Sequence, residues 1–213
     1  MKHKKSLKEQ IEDAVQHIDT VAKSNRNYAV AMLKVLEWTT RKLELTIVNE
    51  QQKAAAKIAK EKRQRRIQPL LVSRGEIWNC ELGTNLGSEQ SETRPVLIIQ
   101  NDDSNKVSPN TIVVPLTRAI HRLDKKITRA PDFVFDDAVA ESIKTRLRKT
   151  EVLILPESAK ESESLILPEP SIVMCQNIKE ISKSRLLLKV TTIDPKMWVY
   201  IHEAIEKTLG LKE

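Results

Sequence analysis

The sequence predicts an α+β protein. A helical extension, residues 1–70, precedes a domain, residues 71–213, built on a small antiparallel sheet or barrel with peripheral helices. Three observations predict this. No proline or glycine occurs before Pro69, and apolar residues there recur at helical spacing. Around Gln68-Pro69-Leu70 the period changes, and short β-branched runs between polar turns take over. Near the C-terminus helical spacing returns behind a strong capping residue.

In the extension, Ile11, Val15, Ile18 and Ala22 mark one helical face, and Ser24-Asn25-Arg26-Asn27 is a predicted break. A longer pattern through Leu33, Leu36, Thr40, Leu43, Ile47 and Ala54 is heptad-like. Its stripe needs a cover: an antiparallel hairpin, a coiled coil between protomers, or the C-terminal domain. Past Pro69, strands are predicted at Glu76–Leu82, Val96–Gln100, Thr111–Leu116, Val152–Leu155, Leu165–Leu167 and Ile172–Cys175. A short helix is predicted at Ser182–Leu188. A final helix starts after Asp194 with Pro195 in its first turn, runs through Met197, Ile201, Ala204, Ile205 and Leu209, and stops at Gly210. The stretch from about 118 to 149 has weak strand character and nine Lys/Arg against five Asp/Glu. A connection of that length is expected to be functional or partly disordered.

Composition narrows the function classes. Aromatic residues are 3 % of the chain, too few for broad base-stacking platforms. No apolar run approaches the roughly 18 residues needed to cross a bilayer, and the basic start Met1–Lys5 leads into an amphipathic stretch, not a signal peptide. Cys80 and Cys175 lack metal-ligand spacing and a disulfide framework, so a cytoplasmic setting is expected. The histidines His3, His17, His121 and His202 are too scattered for a metal site or a paired-histidine ribonuclease. Only His121, inside the basic stretch, draws interest.

The net charge of +7 is unevenly spread. Residues 1–70 hold 16 Lys/Arg against 8 Asp/Glu, whereas residues 71–213 hold 20 against 21. The basic end of the extension, with Lys62, Arg63, Arg65 and Arg66, either attracts phosphate by counterion release or solvates a helix end.

The chemistry concentrates in two segments. One runs Arg74-Gly75-Glu76-Ile77-Trp78, Gly87-Ser88-Glu89-Gln90 and Arg94-Pro95-Val96-Leu97-Ile98-Ile99. The other runs Asn101-Asp102, Asn105, Ser108-Pro109 and Thr111-Ile112-Val113-Val114-Pro115-Leu116-Thr117. Arginine offers donors matched to phosphate geometry and stays charged. Taken singly, Arg94 reads as a surface salt-bridge residue, Thr117 as an ordinary strand end, and Ser88, Glu89 and Gln90 as a polar turn.

In this order the segments resemble the MazF/PemK family of type II toxins. Cys175-Gln176-Asn177-Ile178 and Ser184-Arg185-Leu186 are similar to that family's later strand and helix. The resemblance covers roughly 74–117 and 150–213. It implies an SH3-like antiparallel β-barrel with peripheral helices and a metal-independent, cofactor-free endoribonuclease. Such an enzyme cleaves single-stranded RNA to 2′,3′-cyclic phosphate and 5′-hydroxyl ends. It implies Arg94 and Thr117 as the catalytic pair, Arg94 stabilising the phosphate and Thr117 hydrogen-bonding the reacting hydroxyl or a phosphate oxygen. Ser88, Glu89, Gln90, Asn105, Arg118, His121 and Arg122 are expected RNA contacts, with Lys62, Arg63, Arg65 and Arg66 as further ones. A homodimer and a cognate antitoxin with an acidic segment are the implied partners, and no membrane is.

The chain departs from the family where Ser91-Glu92-Thr93 replaces a glycine-containing approach to Arg-Pro. That predicts a stiffer loop and an extra carboxylate near Arg94. Two other readings keep the fold: an inactive nucleic-acid or partner-binding module, and a toxin that poisons a topoisomerase. Nothing in the family core accounts for residues 1–70.

Overall fold

The computed structural model describes residues 6–24, 26–61, 70–85, 89–129, 133–156, 167 and 169–211. The chain divides into two compact units, Met1–Ile58 and Ala59–Glu213.

The first unit is helical. α1, Leu7–Ser24, starts at a capping box. The Ser6 main-chain N–H donates to the Glu9 carboxylate at 2.7 Å, and the Glu9 N–H donates back to the Ser6 hydroxyl at 3.3 Å. These bonds to Ser6 hold the Glu9 carboxyl below its usual value. α2, Arg26–Glu61, is uninterrupted, as the lack of Pro and Gly allows. Asn25, at the predicted break, lies outside the described residues. Within this unit α1 does not run back alongside α2, so the antiparallel hairpin is not formed among the described residues. Leu33, Leu36, Leu43 and Ile47 of the heptad-like stripe are exposed.

The second unit is a seven-stranded antiparallel sheet. Its strands are β1 (Glu76–Glu81), β2 (Thr93–Ile98), β3 (Asn110–Arg118), β4 (Glu151–Ile154), β5 (Ser171–Met174), β6 (Lys179–Ser182) and β7 (Leu186–Thr192). Their order is β4-β5-β3-β2-β1-β7, with β6 also paired to β3. β3 is the spine. It pairs with β2 through Val96↔Pro115 to Ile98↔Val113. It also pairs with β6 through Asn110↔Ser182 to Val113↔Lys179, and with β5 through Leu116↔Val173 to Arg118↔Ser171. Pro115, which has no N–H to donate, falls between the β6 and β5 registers.

The expected barrel is not closed. Among the described residues β4 and β7 end the sheet without pairing to each other. α6, Trp198–Leu209, packs against β4 and adds Ile201 and Ala204 to the main core around Ile77, Leu97, Val114 and Ile154. The helix thus takes up space that strand closure would otherwise fill.

Gly75 requires its glycine, since φ is +92° at the turn into β1. Its N–H donates to the Ile98 carbonyl at 2.9 Å and its carbonyl accepts from Ile193 N–H at 3.0 Å. The Arg74-Gly75 turn therefore ties β2 to the residue following β7. α6 begins as expected: the Asp194 side chain caps a 3-10 turn at Pro195–Met197, and Gly210 closes the helix at φ +65°.

Two sequence expectations are corrected. Ser182–Leu188 is not a helix: Lys183–Arg185 makes one 3-10 turn, capped by Ser182, and Leu186 opens β7. Pairing with β1, including Cys80↔Leu186, overrides the local leucine preference for helix. The stretch from 118 to 149 holds two short helices, α4 (Lys125–Thr128) and α5 (Asp137–Lys144), where a loop was expected. Asp124 and Asp136 cap them. α3, Asp102–Val107, is likewise capped by Asn101. The expected strand at Leu165–Leu167 falls mainly outside the described residues; Leu167 is buried but not in a strand.

The second unit carries its own core and sheet. Removal of residues 1–66 should leave a folded domain that unfolds cooperatively, measured by circular dichroism during a thermal melt. An insoluble product would show that the exposed stripe of the extension is needed to keep the domain in solution.

Candidate active site

The candidate site is built where the ends of β2 and β3 meet the segment before β5. Arg94 is the second residue of β2, opposite Cys80 of β1. The turn before it is locked: Leu82 N–H donates to the Glu92 carbonyl at 2.9 Å, and Glu92 N–H donates to the Gly83 carbonyl at 2.6 Å. Glu92 adopts φ +68°, the left-handed region that a glycine occupies without cost. The loop expected to be stiff is therefore held in a strained conformation. Arg94 Nε donates to the Ser91 carbonyl at 2.8 Å, which fixes the guanidinium stem and keeps its terminal Nη edge as a fork for an anion.

Thr117 is the penultimate residue of β3, opposite Ile172 of β5. The chain then enters a 3-10 turn, Ala119–Arg122, whose first N–H donates to the Pro170 carbonyl at 2.9 Å. His121, on this turn, places Nδ1 3.4 Å from the Thr117 hydroxyl. Arg94, Thr117, Arg118, His121, Glu92 and Glu169 line one pocket of about 440 Å³.

The pocket is close to balanced in charge. Arg118 Nε lies 2.9 Å from the Glu169 carboxylate, with side-chain exposures of 60 % and 35 %. A pair this exposed contributes at most about 1 kcal/mol, so a phosphate oxygen competes readily for the arginine.

The remaining expected contacts are not all drawn together. Glu89 sits 3.9 Å from the Lys179 ammonium, and Gln90 donates through Nε2 to Met174 Sδ at 3.4 Å. Both belong to the loop between β1 and β2, outside the pocket lining. Ser88, Lys62, Arg63, Arg65 and Arg66 lie outside the described residues.

Asn105 is fully buried. Its side-chain oxygen accepts from Thr111 at 2.8 Å and Gln100 at 3.1 Å, its amide donates to the Gln100 carbonyl, and its own carbonyl accepts from Lys183. This is a brace beneath α3, with no face toward the pocket. Burial pushes the Lys183 ammonium below its ordinary value. Arg122 turns away from the pocket and pairs with Glu151, whose side chain has no exposure. That carboxylate also accepts from Gln176 Nε2 and from Arg148 N–H.

Glu169 and Lys183 were not legible from sequence spacing. Glu169 reaches the site only because the β3–β5 register sets Ser171 opposite Arg118. Cys80 and Cys175 are wholly buried, and burial pushes both thiols up to about 12, which suits packing and not reaction. Among the described residues no cluster of three or more His, Cys, Asp or Glu is arranged to hold a metal ion.

Comparison with known proteins adds a family. The model of the PemK-like, MazF-like toxins of type II toxin–antitoxin systems matches residues 73–209. Endoribonuclease EndoA of Bacillus subtilis is 29 % identical over 142 residues, 67 % of this chain and 97 % of that protein. Endoribonuclease MazF of Staphylococcus saprophyticus is 30 % identical over 141 residues, 66 % of this chain and 93 % of that protein. A solved mycobacterial endoribonuclease in complex with its cognate antitoxin is 20 % identical, with a TM-score of 0.42 over 67 % of this chain and 98 % of that one.

Two outcomes test the framework of the site. Glu92→Gly relieves the left-handed strain, so urea unfolding should show a gain of about 1 kcal/mol. Arg122→Ala leaves the Glu151 charge buried without its guanidinium and should cost about 3 kcal/mol in the same measurement.

Proposed function

This chain belongs to the PemK-like, MazF-like toxin family of type II toxin–antitoxin systems, and from that premise we propose that it is a sequence-selective endoribonuclease cutting single-stranded RNA without metal or cofactor. The observation that carries this reading is the meeting of Arg94 and Thr117, from separate strands, in one pocket. The RNA supplies its own nucleophile. Its 2′-hydroxyl attacks the adjacent phosphorus, the bond to the 5′-oxygen breaks, and the products carry 2′,3′-cyclic phosphate and 5′-hydroxyl ends.

Arg94 binds the phosphate and stabilises the negative charge that grows on its oxygens during attack. Donors preset for that charge contribute on the order of 3 kcal/mol each. Thr117 hydrogen-bonds the reacting hydroxyl or a phosphate oxygen. Arg118 adds a second cation at the rim once phosphate displaces Glu169. The loop of Ser88, Glu89 and Gln90 contributes to RNA recognition beside the site, and Lys62, Arg63, Arg65 and Arg66 add further RNA contacts.

The chain acts in the cytoplasm as a homodimer, restrained by an antitoxin whose acidic segment orders across the RNA-binding face. Among the described residues no helix is long and apolar enough to cross a membrane.

The test is cleavage of a long single-stranded RNA by the purified full chain in EDTA, with the cut ends mapped. Wild type should cleave and leave 2′,3′-cyclic phosphate. Arg94→Ala and Thr117→Ala should each slow cleavage by about 10²-fold or more. Tight binding without any cleavage would favour the inactive-module reading instead.

A further inference from the structure

Attack by a 2′-hydroxyl requires a group that takes its proton, and neither residue of the proposed pair does this well. The Arg94 guanidinium stays charged and has no acceptor, and a threonine hydroxyl is a weak base without help. We propose that His121 is the proton acceptor of the reaction, acting through the Thr117 hydroxyl; this rests on the endoribonuclease reading above.

Four observations carry it. His121 lines the same pocket as Arg94 and Thr117. Its Nδ1 is the ring nitrogen that faces Thr117 Oγ1, at 3.4 Å, a long contact of the kind that tightens when substrate fills a site. The turn that carries it is held at both ends. Ala119 N–H is tied to Pro170, Arg122 is tied to the buried Glu151, and the Arg122 carbonyl accepts from Arg146 Nη1 at 3.2 Å. The ring is also exposed, so it exchanges protons with water after each turnover. Among the described residues of the pocket, His121 is the titratable side chain in contact with the Thr117 hydroxyl; Glu92 stands at the turn before β2 and Glu169 beside Arg118.

The proton path balances. Thr117 passes its hydroxyl proton to Nδ1 while accepting the 2′-hydroxyl proton, the 2′-oxygen bonds to phosphorus, and the bond to the 5′-oxygen breaks. The leaving oxygen takes a proton from water, and the imidazolium returns one to solvent. The path requires the tautomer with hydrogen on Nε2. A protonated ring cannot accept, so the rate falls as the ring takes up a proton at lower pH and levels off once it is neutral. The charged groups that share the pocket with the ring are Arg94, Arg118, Glu92 and Glu169, and Arg122 on the same turn is paired with Glu151.

The experiment is single-turnover cleavage of single-stranded RNA by the full chain in EDTA across about pH 5 to 9, with wild type, His121→Ala and His121→Gln. Binding of an RNA carrying a 2′-deoxy sugar at the cut site is measured alongside. Wild type should rise with unit slope to a plateau. His121→Ala should lose about 10²- to 10⁴-fold in rate at saturating RNA, far more than it loses in affinity for the deoxy-substituted RNA, with the plateau gone, and recover in part with added imidazole. His121→Gln keeps a hydrogen bond to Thr117 but cannot relay a proton, so it should stay slow. Wild-type rate and pH profile in His121→Ala, or full activity in His121→Gln, would overturn the role of His121 and leave the endoribonuclease reading intact. Failure of wild type to cut any RNA would overturn both.

Discussion

The main-chain hydrogen bonds along both edges of β3 organise the second unit. One nine-residue strand serves three neighbours, with β2 on one side and β6 followed by β5 on the other. The change from β6 to β5 leaves a gap at Val114-Pro115, and a residue with no N–H stands in it. Because β5 pairs only with the last three residues of β3, the segment just before β5 is drawn beside Thr117 and Arg118. Glu169, Arg118 and the turn bearing His121 become neighbours for that reason. The site is thus a consequence of register: a one-residue slip would turn Thr117 to the other face.

Behind the pocket, buried polar groups fix what the strands deliver. Glu151 is withdrawn from water yet accepts from Arg122, Gln176 and the Arg148 N–H. A carboxylate so placed is tolerated only while its partners stay, so the 3-10 turn after β3 is tied to β4 by a strongly coupled contact. Asn105 does similar work on the far side, joining α3 to β3 and, through Lys183, to the turn before β7. Asn105 and Arg122, both expected from the sequence as RNA contacts, lie in these two clusters. Their polarity was real, but it is spent on holding neighbouring segments in place.

What the sequence made legible follows from how local each signal is. The cap at Asp194 and stop at Gly210, the Arg-Gly turn into β1, and the apolar runs of β1 to β5 each depend on a few adjacent residues, and all were readable. β6 and β7 were not, because Lys179–Ser182 has little apolar character and Leu186-Leu187-Leu188 looks helical in isolation. Only pairing with β3 and β1 makes them strands. For the site, Arg94 and Thr117 were reached through family order, and the carboxylate of Glu92 through its departure from that order. Glu169 depended on a long-range register that spacing does not encode.

The charge distribution gives the pocket its character. The domain holding it carries 20 basic and 21 acidic residues over 71–213, so its net charge is close to zero. Within the pocket two arginines face two carboxylates, and one of those carboxylates, Glu92, stands on a strained backbone where a glycine would fit more easily. On the proposed reading, anion binding there rests on matched donors in fixed positions, since Arg94 is anchored through Nε and Arg118 is held by Glu169. A site of that kind discriminates by fit. The chain's excess of positive charge lies instead in the first seventy positions, where 16 cationic residues stand against 8 acidic ones.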